Sequence, residues 1–150
     1  MTKETKKVCI NIKSIQTADG DSDTTELFTY GELSSAENKT FYTVTYDENG
    51  TTGYEGSTVT LEISEQWVRM IRTGAALSDL MIEKGKKHHC HYGTPYGDIM
   101  VGISADDIKS EITEKGGDLY LKYTIDINSS FMSQNQMFIN IKECDNEQHD

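Results

Sequence analysis

Apolar and polar residues alternate with a period of two along most of this 150-residue chain, and that rhythm restricts it to strands. Val8, Ile10 and Ile12 alternate with Cys9, Asn11 and Lys13, and Val59, Leu61 and Ile63 with Thr58, Thr60 and Glu62. Phe41, Thr43 and Thr45 interleave with Tyr42, Val44 and Tyr46. The pattern returns at Ile99–Ile103, Leu119–Ile127 and Met137–Ile141. Successive side chains of a strand point to opposite faces, so each run offers one face to a core and one to water. Threonine, tyrosine, valine and isoleucine dominate the runs, as a pleated, half-buried surface prefers.

Turn residues punctuate the runs. Ala18-Asp19-Gly20-Asp21, Glu48-Asn49-Gly50, Glu83-Lys84-Gly85, Lys115-Gly116-Gly117-Asp118 and Asn128-Ser129-Ser130 all have the chemistry of hairpin connections. The count is about nine to eleven short strands, the spacing of a sandwich or barrel. Ser104-Ala105-Asp106-Asp107-Ile108 is the only helical candidate, and it is one turn long. Without long amphipathic helices a parallel βαβ fold has no crossovers. An antiparallel meander remains, and closing it would remove its exposed edges.

The net charge of −11 repels phosphate backbones and anionic bilayers, so neither nucleic acid nor membrane is an expected partner. No run approaches 18 apolar residues, and the first residues do not resemble a signal peptide. Cys9, Cys90 and Cys144 are far apart and odd in number. They imply no disulfide framework, and the expected location is the cytoplasm. One domain is expected over 1–150, with frayed polar ends near 1–5 and 144–150.

The second half resembles a known family. Ile71-Arg72-Thr73-Gly74 is followed by Glu83-Lys84-Gly85-Lys86-Lys87, then Tyr92-Gly93-Thr94-Pro95-Tyr96-Gly97, then Glu114-Lys115-Gly116-Gly117-Asp118-Leu119-Tyr120-Leu121-Lys122-Tyr123. In this order and spacing the chain is similar to the YwiB-like family of bacterial cytosolic proteins, labelled a domain of unknown function. The match is strongest from Val68 to Lys142. The resemblance implies a calycin-like (lipocalin-like) antiparallel β-barrel, and it brings no catalytic residues with it.

His88-His89-Cys90-His91 has metal-binding residue types. On a strand, however, His89 and His91 share one face and His88 and Cys90 the other, so no metal site is expected. Asp19-Gly20-Asp21-Ser22-Asp23 begins like a calcium loop but has Thr24 and Tyr30 where glycine and glutamate are required, so it is expected to be a hairpin turn. Lys84, Lys86 and Lys87 form the one basic cluster, expected to be a solvated turn. Arg69 and Arg72 must point to opposite faces of their strand, and an inward arginine needs a partner. No nucleophile elbow, phosphate loop, zinc-protease helix or dinucleotide fingerprint occurs.

The expected fold is therefore all-β: a single antiparallel calycin-like barrel of about eight to ten strands. The expected role is non-catalytic binding of a small apolar or amphipathic ligand, without cofactor, by Arg72, Trp67, Tyr92, Tyr96 and Tyr123. The alternatives are an interaction or scaffold module with a filled barrel, including a homodimer, and an enzyme using inward polar residues. A cavity of several hundred Å³ would favour binding, and a packed interior with an exposed apolar patch the module.

Overall fold

The computed structural model describes residues 5–35, 40–48, 56–74, 77–94, 97–128 and 130–144. Ten strands occupy them: β1 (Thr5–Ala18), β2 (Asp21–Ser35), β3 (Tyr42–Asp47), β4 (Ser57–Ile63), β5 (Trp67–Gly74), β6 (Ser78–Glu83), β7 (Lys87–Thr94), β8 (Gly97–Ser110), β9 (Gly116–Ile127) and β10 (Ser130–Glu143). Each strand pairs antiparallel with its neighbour in the chain. β10 then pairs with β1 and closes the barrel. The seam sets Ile10 opposite Ile141 and Ile12 opposite Ile139. The result is one closed ten-stranded antiparallel barrel, as the alternation and the resemblance both predict.

The alternating residues take the faces their period requires. Val59, Leu61 and Ile63 of β4 are buried, as are Val68 and Met70 of β5 and Leu119, Leu121 and Ile125 of β9. At one end of the barrel Val8, Leu33, Ile63, Val68, Ile82, Ile108, Leu119 and Ile141 form an aliphatic plug with essentially no solvent contact. Truncating one such side chain to alanine typically costs about 2–5 kcal/mol.

At the opposite end β1, β3, β5, β7 and β9 finish and β2, β4, β6, β8 and β10 begin, as a meander dictates. The β1–β2 hairpin turns on Asp19 (φ 53°) and Gly20 (φ 81°), the left-handed pair that matches strand twist. The aspartates of this segment belong to that hairpin. Asn49-Gly50 lies outside the described residues, and so do Pro95 and Tyr96.

One sequence expectation is corrected. Ser104–Ile108 is not a helical turn but part of β8, where the register to β9 shifts between Ala105 and Asp107. The extra residue of that bulge is Asp106, whose carboxylate accepts the Thr124 hydroxyl at 2.8 Å. At the ends of the chain, Thr5 pairs with Ser34. The Cys144 amide donates to the Lys7 carbonyl at 3.2 Å. The remaining terminal residues, 1–4 and 145–150, lie outside the described residues.

Candidate functional site: the end of the barrel opposite the plug

Two apolar stripes end in charged residues of opposite sign. On β5 the inward stripe Val68, Met70 continues to Arg72, and on β3 the stripe Val44, Tyr46 continues to Glu48. The Glu48 amide donates to the Ser57 carbonyl at 2.9 Å, which extends the β3–β4 ladder by one residue and turns the carboxylate inward. Arg72 Nε meets Glu48 Oε1 at 2.7 Å and Nη2 meets Oε2 at 3.1 Å. The side chains are 10% and 3% exposed. This is a buried, two-pronged ion pair in which each charge meets the desolvation cost of the other. Arg69, on the other face of β5, makes the equivalent fork with Asp79 (2.9 and 2.8 Å) on the outer wall.

Two tyrosines stand beside the pair. Burial pushes the Tyr46 hydroxyl far above the usual phenol range, and the Glu48 carboxylate adds to the effect. Burial pushes Tyr123 up to about 12, opposed in part by the Arg72 charge. Both are neutral at ordinary pH, and the Tyr123 hydroxyl donates to Met137 Sδ at 3.9 Å. β10 adds a polar edge, where Asn135 Nδ2 donates to Ser133 Oγ at 3.1 Å and both residues are buried.

These groups surround a cavity of about 210 Å³. Ile12, Leu27, Met70, Leu80, Ile125 and Met137 give it apolar walls, and Tyr46, Glu48, Arg72, Tyr92, Tyr123 and Asn135 give it polar handles. The aliphatic plug fills the barrel below, and the cavity occupies the opposite end of the interior.

Three of the five expected binding residues, Arg72, Tyr92 and Tyr123, line this cavity. Tyr96 lies outside the described residues. Trp67 is a correction: it starts β5 at the plugged end, on the face opposite Val68 and Arg72, and packs on Phe41 with ring centroids 5.7 Å apart. Glu48 was not among the expected residues, although the period from Val44 through Tyr46 points to it.

The histidine segment lies in β7, away from this chemistry. His89 and His91 are exposed, while Cys90 is buried and accepts the Met81 amide at 3.4 Å. His88 Nε2 meets Glu83 Oε1 at 2.9 Å. Among the described residues no three His, Cys, Asp or Glu side chains converge as metal ligands. In the lysine cluster, Lys86 approaches Glu83 (3.6 Å) and Lys87 approaches Asp126 (2.8 Å).

A larger concavity of about 680 Å³ lies on the outer wall across β2, β1, β10 and β9. Phe28, Tyr120 and Phe138 line it, with Lys13, Glu26, Lys109, Glu111 and Asp118 around them. It is a surface groove, in which the charged groups sit on an open rim. The barrel mouth encloses buried, interacting groups, and this makes it the better candidate for small-molecule chemistry.

Residues 10–139 match the family described as a domain of unknown function, DUF1934. No curated protein matches the chain. Among solved structures it is similar to the crystal structure of the ywiB protein from Bacillus subtilis, with a TM-score of 0.81 and 19% identity over 94% of each chain. At that identity the likeness shows the barrel fold. Among the described residues no helix is long and apolar enough to cross a membrane.

Proposed function

We propose that this chain, which belongs to the DUF1934 family of domains of unknown function, is a non-catalytic binding protein for a small amphipathic ligand. The observation that carries this reading is the cavity of about 210 Å³ with a buried ion pair and two neutral tyrosines on apolar walls. Its size is below that of pockets that enclose drug-sized molecules, about 300–1,000 Å³, so the ligand is small. An apolar body fits against Leu27, Met70 and Leu80, and a polar group meets Tyr46, Tyr123 and Asn135. Glu48 balances the charge of Arg72, so the pair does not single out an acidic ligand. The charged groups are engaged with each other and the tyrosines are held protonated, which supports binding over catalysis. A cytoplasmic location and the absence of a cofactor go with this reading.

Native mass spectrometry of protein purified from its own cell tests the proposal, paired with thermal-shift screening of short-chain carboxylates, amines and alcohols. The expected result is a co-purifying mass, or a stabilising probe, that is lost when Met137→Trp fills the cavity. No co-purifying mass and no stabilising probe would overturn it.

A second reading, an interaction module, rests on the outer wall. Phe28, Tyr30 and Phe138 are 52%, 64% and 43% exposed, and mixed charges rim the adjoining groove. Lysines and carboxylates interspersed in this way suit a second copy of the same surface. Sedimentation of the wild type and of Phe138→Asp decides it: a dimer that the substitution dissociates supports the module, and a wild-type monomer removes it.

A further inference from the structure

Cys9 lies near the start of β1 and Cys144 directly follows β10. They are 135 positions apart, yet barrel closure sets their sulfurs 2.9 Å apart. The outward period of β1 turns Cys9 away from the core, and both cysteines are partly exposed. The Cys144 amide bonded to Lys7, and Lys6 Nζ at 3.0 Å from Glu143 Oε2, hold the two segments together beside the thiols. Reaching an S–S bond of about 2.05 Å needs a shift of only about 1 Å. Cys144 lies one residue past the last strand, where the backbone can give that much. The third thiol provides an internal contrast, because Cys90 of β7 is buried and burial pushes its thiol up.

We propose that Cys9 and Cys144 form a redox-modification site, oxidised by a low-molecular-weight disulfide to a bond that ties the segment after β10 to β1. The Cys9 thiolate attacks one sulfur of the small disulfide and displaces a small thiolate, leaving a mixed disulfide on Cys9. Cys144 then loses its proton to solvent and attacks the Cys9 sulfur, displacing the second small thiol. Two protein thiols lose two electrons and the small disulfide is reduced to two thiols. Cys9 is fixed within the β1 ladder while Cys144 follows the end of β10 and can move onto it, so Cys9 is the attacking sulfur and Cys144 the resolving one. The bond crosses the one seam that joins the two ends of the sheet, so it constrains a loop of nearly the whole barrel. It lies at the plugged end, remote from the binding cavity, and does not depend on the ligand reading.

The full-length protein is incubated in buffers of oxidised and reduced glutathione and mapped by non-reducing peptide mass spectrometry. The expected result is an intramolecular Cys9–Cys144 bond with Cys90 free, and a melting temperature raised by several degrees and restored by dithiothreitol. Cys90→Ser retains both effects. Cys144→Ser loses both and accumulates glutathione on Cys9. Three free thiols, an intermolecular bond, or stable glutathione adducts on the wild type would overturn the proposal. An intramolecular bond that leaves the melting temperature unchanged would overturn the tie between the strands.

Discussion

Arg72→Met strands the Glu48 carboxylate in a site where only 3% of its side chain meets solvent, and Glu48→Leu takes the carboxylate away from a guanidinium that cannot shed its proton. Breaking a buried pair by removing one partner costs about 3–5 kcal/mol. At this chain length that corresponds to a loss of roughly 10–15 °C in Tm. The double substitution Glu48→Leu/Arg72→Met removes both charges and both desolvation costs, so it should fall within about 1–2 kcal/mol of the wild type. The two singles and the double complete a thermodynamic cycle, read by urea unfolding with two spectroscopic probes. The expected coupling is at least about 2 kcal/mol, because both charges share one fork of hydrogen bonds at 2.7 and 3.1 Å. Single losses below about 1 kcal/mol that simply add would refute the reasoning. The pair would then behave as an exposed surface ion pair, and the cavity would be wet enough to solvate it.

Two further predictions concern the tyrosines and the β7–β8 corner. Tyr123 has a raised pKa in the folded state, so its contribution is fully present below pH 10 and is lost as pH rises toward about 12. Over those two units the wild type should lose about 3 kcal/mol more than Tyr123→Phe in alkaline urea melts, and parallel pH profiles would contradict the burial of that hydroxyl. Gly93→Ala should destabilise by about 2–3 kcal/mol in equilibrium unfolding, because the added Cβ would lie 2.2 Å from the Leu77 carbonyl oxygen, a backbone atom that cannot rotate away. A loss under about 0.5 kcal/mol would show that the β5–β6 connection yields.

The strands were legible because alternation is a local signal, and the hairpin at Asp19-Gly20 was legible because few residues tolerate left-handed backbone. The two arginines of β5 were correctly assigned to opposite faces by the same logic. Trp67 was misplaced because its aromatic character outweighed its parity: five residues from Arg72, it cannot share that face. Glu48 was missed because it abuts a turn, where a carboxylate ordinarily reads as solvated. The bulge at Asp106 had no local signature, since an extra residue in one strand is defined only against the register of its partner. The Cys9–Cys144 contact follows from closure, which no spacing in the sequence encodes. The two glycines of the β7–β8 corner looked alike but serve different needs: Gly97 has φ +122° in open space, whereas Gly93 admits a neighbouring backbone.

The pairing of β1 with β10 also sets a timetable for synthesis. β1 leaves the ribosome first and finds β2 at once, but its other edge stays unpaired until the chain has grown through Glu143. For most of translation the nascent sheet is therefore open, with the row of backbone groups on β1 available to any passing strand. The outward charges along that edge, Lys7 and Lys13, stand where such pairing would begin. A chain cut short before β10 would carry an open, adhesive sheet, and only a chain free of the ribosome through β10 can close the barrel.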